Sequence, residues 1–86
     1  MRRDPDFFAD QEMILIYVAR RLKEAQSIEA VLDAGGLDYA VEPAPYGGRT
    51  LFGSPRVGAF FYVLPQSLDD ARTLILQNGY IPYAKE

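Results

Sequence analysis

The sequence predicts an α+β sandwich: one antiparallel sheet with two helices packed on a single face. Two segments, residues 13–18 and 56–64, are apolar on both sides, as strands in the middle of a covered sheet must be. Two more, residues 21–34 and 68–77, repeat apolar side chains at helical spacing. Their order adds the third observation. Strand, helix, strand, strand, helix and a short final strand fold by right-handed crossovers into a ferredoxin-like βαββα(β) layer, with the first and third strands central.

Residues 1–11 read as an N-terminal arm ahead of a single domain over residues 12–86. Asp4 is placed to cap a short turn with Pro5 at its first position, and Phe7 and Phe8 give the arm something to bury. The first strand is expected over Glu12 to Ala19. Strict alternation puts Ile14, Ile16 and Val18 on one face and Met13, Leu15 and Tyr17 on the other. In the first helix Leu22, Ala25, Ile28, Val31 and Leu32 make the apolar stripe. Arg20 and Arg21 stand where a capping side chain is usual, and Gly35-Gly36 supplies a left-handed stop.

Leu37 to Glu42 alternates like an edge strand, and Pro43 and Pro45 are expected to end its pairing. A Pro- and Gly-rich connection then runs from Pro43 to Arg56, with a tight turn expected at residues 46–49 and a brief return over 49–52. After the central strand, Ser67 is expected to cap the second helix with Asp70 completing a capping box. Leu68, Ala71, Leu74 and Ile75 form that helix's buried face, and Asn78-Gly79 closes it. Tyr80-Ile81-Pro82-Tyr83 suits a fourth strand at an edge, where a proline does least harm.

Composition narrows the chemistry. There is no Cys and no His, which removes thiolate nucleophiles, the usual neutral-pH general base and nearly all transition-metal ligand sets. The expectation is a non-enzymatic protein with no cofactor. An enzyme would have to combine Arg49 or Arg56 with a carboxylate. Asp4, Asp6, Asp10 and Glu12 lack the Gly-interrupted spacing of a calcium loop, so no metal is expected. Nine basic against twelve acidic side chains give a net charge of −3, which argues against nucleic acid and anionic membranes as partners. No run is long enough to span a bilayer and the charged start is unlike a signal peptide, so a cytoplasmic location is expected. Arg56, Ala59 and Phe60 match an RNA-recognition strand, but Val57, Gly58 and Val63 stand where its glycine and stacking aromatics belong, and no nucleic-acid partner is expected.

Three segments together resemble a family of prokaryotic signal-transducing proteins, small domains of unknown function. They are residues 14–19, residues 22–25 with 31–37, and Val63-Leu64-Pro65 before an acidic helix start. The resemblance spans residues 13–79 and implies a ferredoxin-like fold similar to that of the nitrogen-regulatory PII proteins. It brings no catalytic residue. The arm and the long connection depart from the family pattern.

Two constellations are candidates for function. The first is the sheet face without helices. Leu15 and Tyr17 are expected there, joined by Phe60 and Tyr62 or by Phe61 and Val63 according to register. Each such side chain left in water forgoes about 1.5–3 kcal/mol of burial. A second subunit, the Phe7-Phe8 arm or a ligand is needed to cover them, and a dimer through Leu15, Tyr17, Phe60 and Tyr62 is the expectation. The second is the connection 43–56, where Tyr46, Arg49 and Arg56 stand beside glycines able to admit an anion or a protein partner. The sequence therefore points to an oligomeric regulatory or protein-interaction module, with a sensor of anionic metabolites or amino acids as the alternative.

Overall fold

The computed structural model describes residues 1–46 and 56–84, Tyr46 by its backbone alone. Strands β1 (Ile14–Ala19), β2 (Ala40–Tyr46) and β3 (Arg56–Val63) form an antiparallel sheet in the order β1-β3-β2, with helices α1 (Leu22–Ala34) and α2 (Leu68–Gln77) on one face. This is the expected ferredoxin-like βαββα(β) topology. The fourth-strand position is filled only in outline: residues 80–84 carry no strand, and Tyr83 donates one backbone hydrogen bond to the Ile16 carbonyl (2.7 Å) along the outer edge of β1. Pro82, without an N–H, cannot extend the ladder.

The core lies between sheet and helices. It joins Ile16, Tyr17, Ala19, Phe61 and Val63 from the strands to Ile28 and Leu32 of α1 and to Ala71 and Ile75 of α2. Tyr39, just ahead of β2, completes it. Its ring lies 5.9 Å from that of Phe61, and its hydroxyl donates to Asp33 Oδ1 at 3.1 Å. Burial first, then the hydrogen bond to the Asp33 carboxylate, hold that phenol well above its ordinary range.

The two glycines that end α1 act differently. Gly36 has φ +70°, the left-handed conformation that only glycine adopts cheaply. Gly35 has an ordinary φ, but a Cβ there would sit 2.2 Å from Leu74 Cδ1, so it is the place where α2 closes on α1.

Four further expectations are corrected. Ser67 makes no side-chain cap; a 3-10 turn from Pro65 to Ser67 runs directly into α2, launched by the fixed φ of Pro65. Leu22, in the first turn of α1, is 75% exposed and stands outside the helix's buried stripe. Pro43 and Pro45 do not end β2, which pairs with β3 through to Tyr46↔Arg56. Backbone groups of a strand point alternately to its two sides. Tyr39, of the same parity as both prolines, directs its N–H and C=O away from β3, to Met1 and Arg3. The prolines thus face the outer edge, where a missing N–H breaks no ladder bond and also blunts that edge against further pairing. The fourth correction concerns β1. Its register with β3 shifts between Leu15 and Tyr17, so two residues of β1 oppose one of β3. Ile16 and Tyr17 both turn to the core, and Val18, opposite Phe60, turns away from it.

The arm is docked. Asp4 accepts the Asp6 N–H at 3.0 Å and Pro5 opens the turn, as the sequence indicates. Residues 1–3 bridge in parallel to Tyr39, Arg2 pairs with Glu29 (3.2 Å) and Arg3 with Asp38 (2.9 Å). Arg3 also lies over the Phe7 ring, 4.6 Å from its centroid. Phe8 is only 3% exposed.

Candidate functional site

Register settles which residues the sheet presents away from its helices. Opposed residues of an antiparallel pair share a face. Phe61 and Val63 are in the core, so the other face carries Phe60 and Tyr62 of β3, Leu15 and Val18 of β1, and Ala40, Glu42 and Ala44 of β2. Three of the four residues expected on this face, Leu15, Phe60 and Tyr62, are there and half-buried. Tyr17 is not. The bulge turns it into the core, 8% exposed, with its ring edge-on to Tyr80 at 6.1 Å. Its phenol is raised by burial and by the nearby Glu24 carboxylate. Val18 takes its place on the helix-free face, a substitution that nothing in the apolar run Ile14–Val18 signals.

This face has a covered half and a bare half. Phe8, Ala40, Glu42 and Tyr62 line one groove of about 380 Å³, which also takes in Met13. Ala40 points away from the helices yet is 4% exposed, and Pro5, Phe8 and Ala9 of the arm line the same groove. Tyr62 sits at the border. Burial, then the Glu42 carboxylate, push its phenol above the ordinary value. Beyond it lie Leu15, Val18 and Phe60, partly open to water. The strands put two charged residues on the face, Glu42 in mid-strand and exposed Arg56 at the end of β3.

Of the residues expected in the connection, Tyr46 and Arg56 are brought together as the last pair of the β2–β3 ladder. Arg49, and with it the turn at 46–49 and the return over 49–52, lies outside the described residues. Among the described residues no group of three or more acidic, His or Cys side chains converges to hold a metal, and no helix is long and apolar enough to cross a membrane.

Set against protein-family models, curated proteins and solved structures, the chain matches none. What the fold and the face define is a class: a small ferredoxin-like αβ domain with one sheet face packed by helices and the other half-covered by its own N-terminal arm.

Proposed function

We propose that the chain is a non-enzymatic regulatory or protein-interaction module that pairs with a second copy of itself through the helix-free face. The observation that carries this reading is the bare half of that face, where Leu15, Val18 and Phe60 stand together on two adjacent strands. Contiguous apolar surface on a small domain marks an interaction site. A two-fold axis lets one patch serve both partners, and opposite charges on one face, Glu42 and Arg56, can meet their counterparts across it. The sequence resemblance to prokaryotic signal-transducing domains is in keeping with the regulatory part of this reading. The connection 43–56, rooted at the Tyr46–Arg56 pair, is the second contact surface in this reading, open to a protein partner or a small anion.

Analytical ultracentrifugation tests the pairing. The wild-type chain is expected to sediment as a dimer at tens of micromolar, and Phe60→Asp as a folded monomer with an unchanged circular dichroism spectrum. A monomeric wild type, or a dimer indifferent to Phe60→Asp, overturns it.

A further inference from the structure

On the helix side, where the first turn of α1 overhangs the sheet, lies a second cavity of about 350 Å³. Its size falls within the range of small-molecule sites. The walls are apolar: Val41, Ala59 and Val57 from the sheet, and Leu22 from the helix. Leu22 and Val57 are 75% and 62% exposed, so two large apolar side chains stand at the mouth of a cleft they do not fill. The charged side chains that line it are basic. In a chain of net charge −3, Arg2, Arg20 and Arg21 line this cavity, and among the described residues no carboxylate does. Arg2 is engaged by Glu29 (3.2 Å), and the Arg20 N–H is held by Glu24 Oε1 (3.2 Å). The Arg21 side chain makes no ion pair or hydrogen bond among the described residues.

We infer that this cavity binds a small amphipathic anion, a carboxylate or phosphate monoester carrying a short hydrocarbon group. The guanidinium of Arg21 offers a planar set of donors that suits either head group. The apolar walls gain by taking a hydrocarbon tail out of water. A concave site of this volume suits a small molecule better than a flat protein surface, and the inference goes beyond the pairing proposed above because it concerns the opposite side of the sheet.

The test is a titration of the full chain, ¹⁵N-labelled, with sodium octanoate and octyl phosphate, using octan-1-ol and inorganic phosphate as the headless and tailless controls. Saturable shifts are expected at the amides of Arg21, Leu22, Val57 and Ala59 with one or both anions, and binding of each control at least tenfold weaker. Whichever amphiphile binds names the head group. Arg21→Gln, at an exposed position, is expected to weaken the anion at least fivefold and leave octan-1-ol unchanged. Non-saturable shifts, shifts confined to Leu15 and Phe60, equal binding of octan-1-ol, or an Arg21→Gln chain that binds as well as wild type would each overturn the inference. Sedimentation run alongside keeps the outcome separate from the oligomeric state.

Discussion

Phe60 and Phe61 are neighbours in the chain and opposites in circumstance. Phe61 is fully buried between Tyr39, β1 and the helices, whereas Phe60, one residue back, lies half-open on the face that no helix covers. The same side chain on the same strand is structural in one position and available for contact in the other. The difference lies wholly in which way the pleat turns it. The two positions should therefore separate in stability. Phe61→Ala is expected to cost about 3–5 kcal/mol, enough to leave a domain of this size largely unfolded at 37 °C. Phe60→Ala should cost about 1 kcal/mol or less when urea melts are run at a concentration where the chain is monomeric. Equal losses would mean that the helix-free face is buried by something within the chain itself.

That contrast was only half legible in the sequence. The element order was readable because central strands are apolar on both sides and helices repeat every 3.6 residues. Those same two-sided strands hide their register, for where both faces are apolar a slip or a bulge violates no pattern. Hence Leu15, Phe60 and Tyr62 could be placed away from the helices as a possibility, while Tyr17 and Val18 were exchanged by a bulge with no sequence mark. β2 hid its length for a different reason. Proline forbids a donor on one side of a strand, and the sequence does not say which side faces a neighbour. Only the ladder shows Pro43 and Pro45 pointing outward.

The bulge can be tested by the pair that simple alternation would treat alike. Ile16→Ala, in the core, is expected to lose about 2–5 kcal/mol, whereas Val18→Ala, on the half-open face, should lose about 1 kcal/mol or less. Similar losses at both positions would restore the strictly alternating strand and return Tyr17 to the outer face.

The arm lines one half of the helix-free face and leaves the other bare. Phe8→Ala should cost about 2–3 kcal/mol, less than a core aromatic because the arm can lift away locally and leave the helix-side core intact. Hydrogen exchange reads this directly. The Arg3 and Tyr39 amides, which bond to Tyr39 and Met1 across the bridge, should lose protection while those of Phe61 and Ile75 keep theirs. Uniform loss of protection would show the arm to be part of the cooperative core. In sedimentation, the freed Ala40–Tyr62 groove should strengthen pairing of the Phe8→Ala chain, since the bare half then extends across the whole face.

The smallest effect expected comes from the tyrosine that joins arm, helix and core. The Tyr39 phenol is raised above its ordinary value of 10.0 in the fold, so the folded chain holds this proton where the unfolded chain releases it. The stability it contributes is level below pH 10 and falls as pH rises past 10, because ionisation there favours the unfolded state. Tyr39→Phe removes the hydroxyl that donates to Asp33 and should cost about 1 kcal/mol at pH 7. Its stability should then decline less steeply between pH 10 and 11 than that of the wild type. Tyr17 and Tyr62, raised in the same direction, leave a residual slope in both proteins. Urea melts at pH 7, 9, 10 and 11 measure both quantities. Parallel alkaline limbs in the two chains would place the Tyr39 ring in water, and with it the bridge that fastens the arm over the helix-free face.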